Sequence, residues 1–398
     1  MARVGLLINT LSNGGAERVV SRLSKILGRD NEIFLILYTD AGISYDYSGT
    51  LINMDIAPAE GNILKKALLP IRRSKALKKI KRDRKLDICI SFMASPNIVN
   101  LLGRVKGCKT AISIRNFTSL EHSENLVMKI KGLISRVLYA RADAIIPVSQ
   151  EIREDIIARY HLDPQKVITI YNPYDIDSIT QQKQQPLPLD QQTFLDAGPC
   201  IVSVGRNMHQ KGFWHLLKAF SLAKQQHPDL RLAIVGRNEL PAQLDRLLDG
   251  LGLGDSVLLP GFQKNPFAYI AHSDIYVLSS LFEGIPNSLA EAMACRKCVI
   301  AANCRSGPKE IRSRDFRKYR QVSQVEQADF GILVPDMGQE ENWDPHSIEP
   351  VDKTLAQAIC LLLDDPQLRE SYCEKALQRA QDFTFEACRR QYQAIIDG

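Results

Sequence analysis

Two carboxylates and two cations, three of them beside glycine, stand where they could do chemistry. In SSLFEGIPNSLAEAMAC, residues 279–295, the apolar run Ile275–Leu278 gives way to the loop Glu283-Gly284-Ile285-Pro286, and a helix is expected from near Asn287 or Ser288. A helix N-terminus at the carboxyl end of a strand offers unpaired amides and a positive dipole end, a natural place for a phosphate. Glu283 has no comparable structural duty in a loop beside Gly284. Glu291 has one: Ser288-x-x-Glu291 spells a capping box, in which the carboxylate only satisfies backbone amides. The intervening loop and helix make a glycosidase-like carboxylate pair a poor fit.

The cations lie in VGRNMHQKG, where Arg206 and Lys211 follow a strand end. A bidentate guanidinium and a point-charge ammonium at that spacing suit a diphosphate, although basic residues in surface loops are common. Near the start, INTLSNGGAERVV places Gly14 and Gly15 before a helix whose first amides could meet an anion, or which simply follow a flexible turn. This is not the G-x-G-x-x-G fingerprint, so dinucleotide binding gains no support.

The elements that must position these residues follow from hydrophobic periodicity. Short apolar runs at Val4–Ile8, Ile33–Tyr38, Ile88–Phe92, Thr110–Ile114, Ala144–Val148 and Val167–Ile170 lack strict alternation, as strands covered on both faces do. A second series comprises Ile201–Val204, Leu230–Val235, Val257–Leu259, Ile275–Leu278, Val299–Ala302 and Gly331–Val334. Helical stretches such as Ala16–Leu27, Phe213–Gln226 and Pro241–Leu251 lie between them. Strand alternating with helix implies βαβ units, and two series imply two doubly wound α/β domains. The polar, Gln/Pro-rich stretch QQKQQPLPLDQQ, residues 181–192, marks the joint. The expected domains are 1–184 and 185–382, with a last helix over 383–398. VGR occurs at Val204–Arg206 and again at Val235–Arg237, each time ending a strand.

A chain of 398 residues, 45% hydrophobic and 24% charged, has ample material for two cores, which excludes collagen-like, disordered and disulfide-scaffold classes. The net charge of +6 is uneven: residues 62–85 hold eleven Lys/Arg against Asp83, a local +10 that leaves −4 for the remainder. Such asymmetry hints at an anionic partner. No apolar run is long enough to cross a bilayer, and MARVGLLINTLSNGG reads as a buried strand rather than a signal peptide. Nine scattered cysteines fit reduced thiols and a cytoplasmic setting.

Taken in order, NGGAER near residue 13, YNPYD at 171–175, VGR…KG at 204–212, the E-x7-E signature from Glu283 to Glu291, GPKEI at 307–311 and GILVP at 331–335 resemble the retaining nucleotide-sugar glycosyltransferases of family four. The resemblance spans nearly the whole chain. It implies the GT-B fold, two Rossmann-like domains facing across a cleft, with an N-terminal acceptor domain, a C-terminal donor domain and a last helix packing back on the first. Arg206 and Lys211 would bind the donor diphosphate, Glu283 the hydroxyls of the donor sugar, and Glu291 the ribose. The backbone around Gly284, Ile285, Asn287, Ser288 and Leu289 would contact sugar and phosphate. Gly14 and Gly15 would let the N-terminal loop approach phosphates and acceptor. Such enzymes need no metal or other cofactor, because the basic residues offset the charge of the leaving group. Many relatives carry a histidine after the strand corresponding to Thr110–Ile114; here Arg115 and Asn116 stand there, with His122 seven residues beyond Arg115.

The expected activity is transfer of a sugar from a nucleotide diphosphate, UDP above all, to a glycan acceptor that is lipid-linked, as in cell-surface polysaccharide or lipopolysaccharide synthesis. The alternatives are a UDP-sugar epimerase of the same fold, against which E-x7-E argues, and a catalytically dead membrane-surface adaptor. Asp175-Ile176-Asp177 matches a D-x-D metal motif but has no partnering acid cluster and reads better as a helix cap. Cys295-x-x-Cys298 with Cys304 lacks the ligands to complete a zinc site. The basic segment has Ile71, Leu77 and Ile80 at helical spacing, and Pro70 is expected to break its first turns. It reads either as a solvated helix face or as a surface drawn to the anionic inner face of the cytoplasmic membrane. It lacks the interleaved aromatics of a nucleic-acid binder.

Overall fold

The computed structural model describes residues 1–12, 14–56, 63–115 and 135–398, with side chains left out at 63–67. The chain forms two units, residues 1–173 together with 385–398, and residues 174–384.

In the first unit six strands, β1 (Arg3–Ile8), β2 (Glu32–Leu37), β3 (Thr50–Asn53), β4 (Ile88–Phe92), β5 (Lys109–Ile114) and β6 (Ala144–Pro147), pair in parallel in the order β3-β2-β1-β4-β5-β6. Val4, Leu6, Leu7 and Ile8 of β1 are all fully buried, as a strand covered on both faces requires. One face carries the helix Gly15–Leu27 and the last helix, Phe385–Asp397, whose Cys388, Tyr392 and Ile396 join the same core. Asn31 ties that last helix down by donating from Nδ2 to Gln393 Oε1 at 2.8 Å. The other face packs on Leu77 of the helix Ile63–Asp83 and Val99 of the helix Ala94–Leu102.

The second unit holds β7 (Cys200–Val204), β8 (Arg231–Val235), β9 (Val257–Gly261), β10 (Ile275–Leu278), β11 (Cys298–Ala302), β12 (Glu326–Ala328) and β13 (Gly331–Val334), in the order β12-β13-β11-β10-β7-β8-β9. All pairs are parallel except the short edge strand β12. Its strands β9-β8-β7-β10-β11 repeat the order β3-β2-β1-β4-β5 of the first sheet. The chain therefore contains two doubly wound α/β domains, each reversing direction next to its first strand. In such sheets the crevice at the reversal, outside the carboxyl strand ends, is where ligands bind.

Three expectations are corrected. The joint lies at Pro173/Tyr174 rather than at 184/185. The reason is that residues after 173 already bond within the second unit: Tyr174 N donates to Phe383 O at 2.9 Å and Lys183 Nζ to Cys295 O at 3.3 Å. Val167–Ile170 does not form a full strand: beside β6 it makes one bridge, Val167 to Ile145, with Ile168 N donating to Ile145 O at 2.9 Å and Ile170 N to Pro147 O at 3.1 Å. The helix Ile63–Asp83 runs through Pro70 instead of breaking there, giving up only the hydrogen bond that proline cannot donate.

Candidate functional site

In the second unit the sheet reverses between β7 and β10, and the loops leaving these two strands are stitched together. Ser279 Oγ donates to Lys211 O at 2.9 Å and Leu281 N to Gln210 O at 2.9 Å. Glycine makes the approach possible. Gly212 has φ of +57°, and a Cβ there would lie 2.6 Å from Ser279 O. A Cβ at Gly205 would lie 2.8 Å from Lys211 Cε, so the lysine stem lies across bare backbone. This packing delivers Lys211 Nζ to Glu283 Oε1 at 2.6 Å, with the two side chains 15% and 9% exposed. Ser280 Oγ donates to the same carboxylate oxygen at 2.8 Å, and Gln210 Nε2 to Phe282 O at 2.8 Å. A charge-assisted pair, partly withdrawn from water and braced by a hydroxyl, is held ready rather than assembled on demand.

The Glu283 loop is backed by the turn after β11. Ser306 Oγ donates to Gly284 O at 2.9 Å, and a Cβ on Gly307 (φ +64°) would meet Gly284 O at 2.4 Å. Beyond the loop the helix Asn287–Ala294 begins, with Pro286 as N-cap, no side-chain cap and no acid in its first turn. Ser288 therefore sits inside the helix and is not the head of a capping box; its Oγ accepts from Tyr276 OH at 2.8 Å. Glu291, on the next turn, is 2% exposed. Burial pushes the Tyr276 hydroxyl far above its usual range, with the charges of Glu283 and Glu291 adding to the rise. That hydroxyl is a neutral donor fixing the helix start.

Arg206 takes a different position. Its guanidinium is 3.6 Å from Glu239, with the two side chains 55% and 42% exposed, and no contact joins it to Glu283. An ion pair that exposed is worth little and yields readily to a stronger anion. The two VGR segments lie side by side: Gly205 N donates to Val235 O at 2.9 Å, and Gly236 N to Gly261 O at 2.9 Å. The strand ends thus form a row, Glu283 after β10, Arg206 after β7, Arg237 after β8 and Phe262 after β9. Phe262 is 56% exposed with the Arg237 guanidinium 5.4 Å from its ring centroid. Sequence reasoning passed over it, although an aromatic just after a predicted strand was the available signal. It also missed His215 and Asp352, fully buried with Nδ1 and Oδ1 2.6 Å apart, which tie the helix Phe213–Gln226 to the helix Pro350–Asp364 behind the Lys211 loop.

The remaining candidates belong to the first unit. Gly14 is the N-cap of the helix Gly15–Leu27, without a side-chain cap. Glu17 folds over it: a Cβ at Gly14 would collide with the Glu17 carboxylate. Arg115, at the end of β5, donates from Nη2 to Asn172 Oδ1 at 2.5 Å, so the YNPYD segment holds it. Asn116 and His122 lie outside the described residues. At the end of β4, Met93 has φ of +78° and ψ of 160°, a region that costs a non-glycine residue roughly 1–3 kcal/mol.

In the basic helix the cations divide. Arg73 is buried, donating to Ile56 O at 2.7 Å and lying 3.8 Å from the Tyr38 ring centroid. Lys81 is buried too, donating to Asn100 Oδ1 at 2.7 Å. Arg72, Lys75, Lys79 and Arg82 are exposed, in line with Leu68 and Ile71 at 59% and 47% exposure. Asp175 caps the helix Ile176–Gln182 by accepting from Ser178 N at 3.0 Å. Among the described residues no group of three or more His, Cys, Asp or Glu could hold a metal, and no helix is long and apolar enough to cross a membrane.

The comparisons with known proteins agree with this architecture. Residues 13–178 match the family model described as Glycosyltransferase Family 4, and residues 189–322 that of Glycosyl transferases group 1. An uncharacterized glycosyltransferase of Methanocaldococcus jannaschii is 30% identical over 339 residues, covering 82% of this chain and 83% of that protein. The N-acetylgalactosamine-N,N'-diacetylbacillosaminyl-diphospho-undecaprenol 4-alpha-N-acetylgalactosaminyltransferase of Campylobacter jejuni is 31% identical over 388 residues, 96% of each chain. Among solved structures, Anabaena HepE in complex with UDP and glucose superposes with a TM-score of 0.75 at 18% identity over the whole of both chains. WaaG, a glycosyltransferase involved in lipopolysaccharide biosynthesis, gives 0.69 at 13% identity, covering 99% of this chain and all of that one. With paired GT-B domains and relatives aligned along nearly its full length, the chain belongs to the family-four glycosyltransferases and is a hexosyl- or N-acetylhexosaminyl-type transferase of glycan biosynthesis.

Proposed function

We propose that this glycosyltransferase takes its sugar from a UDP-sugar held by the second unit and passes it, with retention, to a lipid-linked glycan. The observation that carries the reading is the Lys211–Glu283 pair at 2.6 Å where β7 and β10 part. Breaking a glycosyl–phosphate bond leaves negative charge on the diphosphate and positive charge on the sugar. Lys211 would meet the first, together with Arg206 released from Glu239 and the uncapped start of the helix Asn287–Ala294. These groups supply the electrostatic role of a metal ion, so the reading invokes none. Glu283 would accept from hydroxyls of the sugar, and its pairing with Lys211 and Ser280 keeps the carboxylate aimed. Glu291 would accept from the ribose, and Phe262 with Arg237 offers a flat face to the base.

The lipid-linked acceptor is supported by the undecaprenol-linked substrate in the name of the Campylobacter relative, and UDP by the ligand of HepE. A lipid-borne acceptor also gives the exposed stripe of the basic helix a purpose, contact with the anionic inner face of the cytoplasmic membrane. The test is a transfer assay over a panel of nucleotide sugars with an undecaprenyl-diphosphate oligosaccharide as acceptor, preceded by thermal shift to choose the donor. Transfer from a UDP-sugar with retained anomeric configuration is expected. Conversion of the donor without any acceptor would replace the reading with an epimerase.

A further inference from the structure

On the second unit, a groove of about 530 Å³ runs between the helix Pro241–Leu251 and the segment after β13, lined by Gln243, Arg246, Trp343, Asp344 and Pro345. Its size is that of ordinary small-ligand sites, roughly 300–1,000 Å³. Nothing in the proposed transfer uses it.

Its lining combines two chemistries. Trp343 has its indole N–H taken by Glu341, and its ring packs on the fully buried Trp214 with centroids 5.3 Å apart. The ring is thus fixed, and what it presents to the groove is carbon. Pro345 extends that surface, seated so closely on the helix that a Cβ at Gly250 would come within 2.6 Å of its Cγ. The polar part is uncommitted. Arg246 places only Nε, on Ala242 O at 3.1 Å, and Asp344 accepts at Oδ1 from His346 N at 3.0 Å. Arg246 and Asp344 carry opposite charges in one groove, yet neither forms an ion pair with the other or with any described residue. Gln243 adds a donor and an acceptor on one amide.

A ligand that fills this space must bury a flat apolar face while accepting from a guanidinium and donating to a carboxylate. A phosphate would be repelled by Asp344, and an apolar helix would cover the remaining polar atoms of Arg246, Asp344 and Gln243 without answering them. A pyranose meets both demands, with its C–H face for the indole and hydroxyls that each donate and accept. We propose that this groove binds a sugar ring of a glycan, separately from the donor. The inference rests on the transferase reading only for the origin of that glycan, an acceptor or product chain. The residues just before Trp343 reach toward the Lys211 loop: Asn342 O accepts from Lys218 at 2.8 Å, and Glu341 lies 3.4 Å from His209, two residues before Lys211.

The chain has two tryptophans, and the Trp343→Phe variant keeps only the buried Trp214, so the difference in indole emission between the two proteins reports on Trp343. The full chain is titrated with maltotriose, chitotriose and an α-1,4-linked N-acetylgalactosamine trimer. At least one should give a saturable change that Trp343→Phe removes. The exposed-site changes Arg246→Ala and Asp344→Ala should each weaken binding at least tenfold, while Lys211→Ala and saturating UDP leave it intact. The proposal is overturned if no trimer perturbs the emission, if UDP competes, or if both exposed-site variants bind like wild type. Calorimetry with UDP on the same sample separates the two ideas, since failure to bind UDP would sink the donor assignment and leave the groove result standing.

Discussion

The two units share the order of their first five strands, and each places a helix start at the carboxyl end of its sheet, yet the two helix starts are prepared for different company. In the first unit the helix Gly15–Leu27 brings its own anion: Glu17 is in its first turn and folds over Gly14. In the second, the helix Asn287–Ala294 has no acid in its first turn, and the loop before it carries Glu283 paired to Lys211. A helix dipole already served by a carboxylate of its own chain has less to offer a phosphate. On electrostatic grounds the contrast favours the second unit for the diphosphate of the proposed donor, although both starts read in the sequence as glycine-containing turns after a strand.

The strongest way to break this contrast is to remove the pair. Lys211→Ala and Glu283→Ala should each lower the transfer rate about 10²–10³-fold, the usual loss when one preorganised group facing developing charge is deleted. Circular dichroism should show both variants folded, and near-normal transfer in either would refute the assignment. The next effect tests the first unit. Changing Arg72, Lys75, Lys79 and Arg82 together to Gln should weaken binding to anionic vesicles by up to about 1 kcal/mol per cation at low salt. Lys81→Met should instead lower the melting temperature, because it leaves buried Asn100 Oδ1 without its donor, a cost of about 1–3 kcal/mol. If Lys81→Met impaired vesicle binding as much as the fourfold change and left stability alone, the division of cations into internal and external would be wrong.

Thiol chemistry probes whether the site in the second unit is as closed as its contacts indicate. All nine cysteines are free and buried. Burial pushes the thiols of Cys108, Cys200, Cys295 and Cys298 up to about 12, and that of Cys304, near Glu283, Lys309 and Lys211, well above its usual value. Since the thiolate is the reactive form, none should react quickly with a disulfide reagent at pH 8, and all nine should react after unfolding returns them to about 8.5. Early reaction of Cys304 would mean that the Glu283 loop opens readily. The smallest effect expected is that of Glu17→Gln. It should lower stability by about 0.3–1 kcal/mol through the lost dipole interaction and leave UDP affinity unchanged. A clear gain in UDP affinity would put the phosphates on the first unit after all.

Much of this was legible in the residues. The buried strands announce themselves because covering both faces demands unbroken apolar runs, and the order of NGGAER, VGR…KG and E-x7-E named the family. What was not legible depended on tertiary contact. The edge strands β3 and β12 are short, and Thr50–Asn53 is at most half-buried, so neither carries a hydrophobic signature. Arg73 and Lys81 count as cations in any sum over the sequence, but their neighbours on folding are a carbonyl, an aromatic ring and an amide oxygen. Ser288-x-x-Glu291 spells a capping box only if the helix starts at Ser288; Pro286 starts it earlier and turns Glu291 inward. Glu17 lies three residues past Gly14, a spacing with no meaning until the helix folds its carboxylate back.

The most direct measurement is UDP affinity by calorimetry in wild type, Lys211→Ala and Glu283→Gln. Lys211→Ala should weaken UDP at least tenfold, while Glu283→Gln should stay within about threefold for UDP and lose the extra affinity that the attached sugar confers, tenfold in binding being about 1.4 kcal/mol. Unchanged UDP affinity in Lys211→Ala would refute the place proposed for the diphosphate.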